Sequence, residues 1–157
     1  MSVESTITVR ILRAPEHEDL PDPCYATDGS AGMDLHAAVR EPVTLRPGEI
    51  HLVPTGLSLA IPRGWEGQVR ARSGLALRHG LSLVNGPGTI DSDYRGEIGV
   101  ILTVLKNEPF TVTRGMRIAQ LVFSPVGRAE LIREVRLSDT KRGGGGFGHT
   151  GLEARAD

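Results

Sequence analysis

The sequence predicts an all-β sandwich or barrel. Two observations lead there. Apolar residues come in short runs with β-type alternation, and Gly and Pro interrupt those runs at close intervals. A third observation limits the helical content: one short stretch, residues 73–80, carries helix signals. The chain has 157 residues, enough for one domain with a real core.

In chain order, residues 6–12 (TITVRIL) alternate as a strand. Residues 14–30 are rich in Pro, Asp and Gly and read as a loop. Short strands follow at VTL from 43, EIHLVP from 49 and GLSLAI from 56, with turns at Pro47-Gly48 and Pro62-Arg63-Gly64. QVRAR from 68 leads into SGLALRHG, where Ser73 reads as an N-cap and Gly80 as the stop of a short helix. Beyond it lie residues 81–84, 98–105, FTVT from 110, RIAQLVFSPV from 117 and AELIREVRL from 129 as strands. So many strands in a small barrel leave open edges, and oligomerisation is one way to cover them. The domain is expected to span residues 1–137, with a flexible arm over 138–157.

Composition excludes several classes. There are 18 basic and 19 acidic residues, so the surface as a whole is no polyanion trap. Aromatic residues make up 4%, too few for a long single-strand stacking platform, and no nucleic-acid partner is expected. The single Cys24 allows neither an internal disulfide nor a thiolate metal cage. No run is long and apolar enough to span a membrane and the N-terminus has no signal-type apolar stretch, so no membrane partner and a cytoplasmic location are expected.

Some apparent motifs fail. Gly143, Gly145 and Gly148 fit G-x-G-x-x-G, but too little chain follows for a βαβ unit. Asp91-Ser92-Asp93 opens like a calcium loop, yet Arg95 and Leu102 occupy acidic positions. The five histidines show no metal-ligand spacing.

The stretch 84–96 is different. Gly86, Pro87, Gly88 and Gly96 specify a tight, fixed backbone around Asp91, Asp93 and Tyr94, with apolar runs on both sides. Four other islands accompany it: residues 31–37 (AGMDLHA), 72–76 (RSGLA), 117–121 (RIAQL) and 142–151 (RGGGGFGHTG). Their order, spacing and wording closely resemble the five motifs of the trimeric dUTP pyrophosphatase (dUTPase) family. The resemblance runs from about Ala31 to Gly151, with IDSDYRG and RGGGGFG nearly verbatim. It implies a jelly-roll-like distorted barrel (a β-clip) with a glycine-rich C-terminal arm, and a homotrimer whose active sites are shared among chains. It also implies hydrolysis of dUTP to dUMP and pyrophosphate with Mg²⁺, which would limit uracil in DNA and supply dUMP for dTMP synthesis.

Triphosphate hydrolysis needs an activated water, neutralised charge and oriented phosphates. A carboxylate is ordinarily ionised at neutral pH and can orient water and accept its proton. The resemblance gives that role to Asp91, with attack at the α-phosphorus; Asp93 competes as a turn cap, and an Asx-turn is the structural alternative for Asp91 itself. Arg72 and Ser73 stand where a strand enters the helix, a place that favours anions. By resemblance Ser73, Gly74 and Gln120 contact the phosphates. Asp34 either touches Mg²⁺ through water or pairs with a neighbouring Arg, and Arg117 either holds Asp34 or makes a subunit contact. His36 stands where many relatives are expected to carry Arg and receives no role.

Base selection is expected from Asn85 and the hairpin backbone around Gly86 to Ile90, including Gly88 and Thr89, whose fixed edge can match uracil and would leave no room for a 5-methyl group. By the resemblance Tyr94 would lie under the deoxyribose and block a 2′-hydroxyl, or it is simply a half-buried strand aromatic. The resemblance also implies that Arg142 would reach the γ-phosphate, Phe147 would stack on the uracil, and Gly146 and Gly148 would let the arm close as a lid. The nearest rival is dCTP deaminase. That family is expected to carry a catalytic Glu where Ile101 stands and to lack the RGGGGFG arm. A non-catalytic β-domain that binds nucleotides or proteins is the rival from another class.

Overall fold

The structure is a computed structural model that describes residues 6–146. It is all-β with one short helix, as expected. The first strands are β1 (Arg10–Arg13), β2 (Met33–His36), β3 (Val43–Leu45), β4 (His51–Ala60) and β5 (Trp65–Arg70). The helix α1 (Ser73–His79) follows. The remaining strands are β6 (Leu81–Leu83), β7 (Gly88–Ile90), β8 (Glu97–Val104), β9 (Phe110–Val112) and β10 (Arg117–Pro125). One sheet has the order β1-β4-β8-β6, a second β2-β10-β5-β7, and β3 pairs with β9. Every named pairing is antiparallel.

The alternation read from the sequence is what builds the core. Along β8, Ile98, Val100, Leu102 and Val104 point inward and are buried, while the residues between them face outward. They meet Leu35, Val53, Leu57, Val69, Ile90, Ile118 and Leu121 from the other strands in one cluster. Burying each of the larger side chains contributes about 1.5–3 kcal/mol, so this cluster supplies the main driving force.

Three expectations need correction. The runs from 49 and from 56 are one strand, β4, interrupted by a bulge. Gly56 at φ 67° makes this possible, and the His17 ring packs where its side chain would be, 2.8 Å from an ideal Cβ. Second, Ser73 is the first helical residue rather than the cap. Arg72 holds the extended cap position and no side chain caps the helix, while Gly80 ends it in the left-handed conformation. Third, residues 129–137 form no strand. Alternation makes a strand only where a neighbouring ladder accepts its backbone, and among the described residues none pairs with this stretch. Its Leu131, Ile132, Val135 and Leu137 are exposed.

The chain divides into two compact units, Met1–Gly127 and Arg128–Asp157. The strands all belong to the first. No helix among the described residues is long and apolar enough to cross a membrane.

Candidate active site

The rigid stretch singled out in the sequence leaves β6, turns, and returns as β7 and then β8. Its residues Asn85, Gly88, Thr89, Ile90, Asp91 and Tyr94 line a recess of about 180 Å³ together with Val69 and Glu97. That is the scale of one ring, since a cavity of about 150 Å³ takes a benzene. Gly88 is buried at the recess, and a Cβ there would stand 3.2 Å from the Asn85 amide nitrogen. A side chain at 88 would therefore disturb Asn85. Asp91 is exposed. Its turn closes through the main chain, Tyr94 N–H donating to Asp91 O at 3.1 Å, so the turn does not depend on the Asp91 carboxylate. The Tyr94 ring lies over Gly96, and its hydroxyl donates to the Glu97 carbonyl at 3.0 Å.

A second recess, about 420 Å³, is lined by Asp34, Arg72, Ser73, Gly74, Arg78 and Gln120 among others. Asp34 on β2 bridges two guanidiniums: Arg72 Nε at 2.8 Å and Arg117 Nη1 at 3.0 Å. Arg72 Nη1 also donates to the Arg117 carbonyl at 3.0 Å, tying the entry of α1 to the start of β10. Gln120, opposite Asp34 in the β2–β10 register, donates its amide to the Ala71 carbonyl at 3.0 Å. Gly32 makes room for it, because a Cβ there would fall 2.6 Å from Gln120 Oε1. Arg72, Arg78 and Arg117 face one carboxylate in this recess, an excess of positive charge that suits an anion. His36, nearby on β2, is held below its ordinary pKa by burial first, with Arg117, Arg13 and Arg72 adding to the effect and Asp34 opposing it.

The two recesses share no lining residue. Sequence reasoning did not reach Arg78 or Glu97. The i, i+4 spacing from Gly74 to Arg78 on α1 was the available signal for the first. In the second unit, Arg142 Nε donates to the Gly145 carbonyl at 2.8 Å across a turn that also includes Gly143 at φ 52°. Gly146 closes the described chain, and Phe147 and Gly148 lie outside the described residues.

Fold and recesses define a class: an all-β domain with one ring-sized recess and one arginine-rich recess suited to an anion. Comparison with known proteins narrows it. The dUTPase family model matches residues 18–151. The deoxyuridine 5′-triphosphate nucleotidohydrolase of Anaeromyxobacter sp. (strain Fw109-5) is 60% identical over 146 residues, covering 92% of this chain and 98% of the relative. That of Rhizobium leguminosarum bv. trifolii (strain WSM2304) is 54% identical, covering 92% and 94%. Among solved structures, Staphylococcus bacteriophage 80alpha dUTPase with dUpNHpp superposes with a TM-score of 0.80 at 26% identity, covering 94% of this chain and all of that one. The chain belongs to the dUTPase family.

Proposed function

We propose that this chain is a dUTP diphosphatase, hydrolysing dUTP to dUMP and pyrophosphate. One observation carries the reading beyond family membership: the ring-sized recess holds the exposed Asp91 together with Asn85 and Tyr94, while the arginine-rich recess lies apart from it. Uracil is read by Asn85 and the backbone of Gly88, Thr89 and Ile90. Tyr94 lies under the sugar and excludes a 2′-hydroxyl. Asp91 orients a water toward the α-phosphorus and takes its proton. Arg72, Ser73, Gly74 and Gln120 hold the phosphates, and the second hydrogen on the Gln120 amide is available for that purpose. Arg142, Gly146, Phe147 and Gly148 belong to the arm that closes over the ligand.

Mg²⁺ fits as an ion held mainly by substrate phosphates and water. Among the described residues no three His, Cys, Asp or Glu side chains group as a cage, which agrees with the way Mg²⁺ often binds. Asp34 is the residue to touch it through water, since each carboxylate oxygen retains a lone pair beyond its arginine bond. When bound, the ion supplies neutralisation of phosphate charge. Three copies share each site in this reading. Its support is that the base and phosphate recesses have no residue in common, that the four-stranded sheets end on the edges β1, β6, β2 and β7, and that Ile50, Leu52 and Leu105 are exposed. The enzyme would work in the cytoplasm, limiting uracil incorporation into DNA and supplying dUMP for dTMP synthesis.

Pyrophosphate release from dUTP, UTP, dTTP and dCTP, with and without Mg²⁺, tests the proposal. Turnover of dUTP alone, dependent on Mg²⁺, is expected. A deoxyuridine product from dCTP would transfer the chain to the deaminase reading, which the apolar Ile101 in the recess wall speaks against. Binding of dUTP without turnover would leave a binding domain. A fully active monomer in sedimentation would remove the shared site.

A further inference from the structure

The bulge in β4 is clamped at the amides and carbonyls of Thr55 and Gly56. Between the pairs Pro54↔Gly99 and Ser58↔Glu97, three residues of β4 face one residue of β8. The amides of Thr55 and Gly56 thus lose their ladder partners, and buried amides left unpaired are costly. Both donate instead to one oxygen of the Glu97 carboxylate, at 3.1 and 2.7 Å. Arg13 Nη1 donates to the Thr55 carbonyl at 3.1 Å, and Ala14 N–H to the Gly56 carbonyl at 2.9 Å. The Thr55 hydroxyl, fully buried, donates to the Ile98 carbonyl at 2.7 Å, one residue beyond Glu97. Glu97 is therefore held through its side chain and through its neighbour's main chain.

From that anchored position, the Glu97 carbonyl accepts the Tyr94 hydroxyl at 3.0 Å. The absence of a side chain at Gly96 lets the ring lie down between them, because a Cβ there would collide with the Tyr94 hydroxyl. Tyr94 and Glu97 line the same ring-sized recess. The geometry assigns Glu97 as a positioning residue for sugar selectivity. Its carboxylate fixes the start of β8 against the bulge, and the carbonyl so fixed sets where the Tyr94 ring stands. This rests on the reading of Tyr94 as the group that excludes a 2′-hydroxyl. Charge is not what the amides require; an acceptor oxygen at that reach is.

The test is steady-state kinetics with dUTP and UTP in the presence of Mg²⁺, read as the ratio of their kcat/KM values. Glu97→Ala should lower that ratio about tenfold, as expected for a small displacement of a selecting group. Glu97→Gln, which keeps an acceptor oxygen, should stay within about twofold of the parent. Tyr94→Phe cuts the same link from its exposed end without touching the bulge, and should lower the ratio in the same direction even if Glu97→Ala fails to fold. A merely structural Glu97 would reduce both substrates in proportion, and an unchanged ratio in Glu97→Ala or Tyr94→Phe overturns the assignment. Tyr94→Ala separates the two readings. If it leaves the ratio intact, Tyr94 is not the sugar gate; if it collapses the ratio while Glu97→Ala and Tyr94→Phe do not, only the role of Glu97 falls.

Discussion

Asp34→Asn is the substitution whose outcome the arginine-rich recess constrains most. The Asp34 carboxylate is ion-paired with Arg72 Nε through one oxygen and accepts from Arg117 Nη1 on the other. Asparagine keeps the shape but offers one oxygen and one NH₂ group. One guanidinium retains its bond, and the other is left donor against donor. A charge-assisted hydrogen bond contributes about 1.5–3 kcal/mol when buried, and an exposed ion pair about 0–1. Asp34 and Arg72 are about a quarter exposed and Arg117 is more than half exposed, so an intermediate loss of about 1–2 kcal/mol is expected. For a chain of this length that lowers Tm by about 2–8 °C. Because Arg72 and Arg117 also lose their mutual orientation, kcat/KM for dUTP should fall about tenfold, equivalent to roughly 1.4 kcal/mol of transition-state stabilisation. Differential scanning calorimetry and pyrophosphate release measure the two quantities. An unchanged Tm together with unchanged kcat/KM would show that the double arginine bridge holds nothing in place.

Other consequences follow from single positions. Asp91→Asn should abolish turnover while leaving dUTP binding by calorimetry largely intact; full activity would remove Asp91 as the base. Gly32→Ala should push the Gln120 amide off the Ala71 carbonyl, costing about 1 kcal/mol and with it some phosphate affinity; an unchanged KM for dUTP would argue that Gln120 does not touch substrate. Burial holds the His36 pKa below its ordinary value, so the folded state disfavours the proton more than the unfolded chain does. That contribution is complete above about pH 6.5 and is lost as pH falls through the lowered value, so Tm should drop less steeply from pH 7 to 5 in His36→Gln than in the parent. Parallel curves for the two proteins would contradict the assignment.

The core and the rigid stretch were legible because their signals are local. The inward positions of β8 alternate in the sequence as they do in the sheet, and Gly80 stops α1 where its residue type says it should. What escaped is non-local. Gly56 looks like a turn between two strands until β8 is seen running past it, which makes it a bulge inside one strand. Residues 129–137 mix apolar and charged residues as a strand can, but pattern cannot say whether a neighbouring ladder exists. The Asp34–Arg72–Arg117 bridge joins three motifs, and Glu97 meets Thr55 and Gly56 across more than forty residues of chain. The five motifs carried the assignment of site residues as a resemblance, while spacing alone could not have told which arginine meets which carboxylate.

The place of β10 in its sheet also governs when the arginine-rich recess can come into being. This strand lies between β2 and β5, and its Gln120 faces Asp34 on one side and Arg70 on the other. During synthesis, β2 and β5 emerge long before residues 117–125 and must wait without the strand that joins them. Pairing residues so far apart in sequence carries a large loop-closure cost before any contact rewards it, which places such folds among slow folders. The recess therefore cannot form until residues 117–125 have been made. A chain stalled or cut before β10 would lack Arg117 and Gln120 and would leave β2 and β5 as uncovered edges open to aggregation.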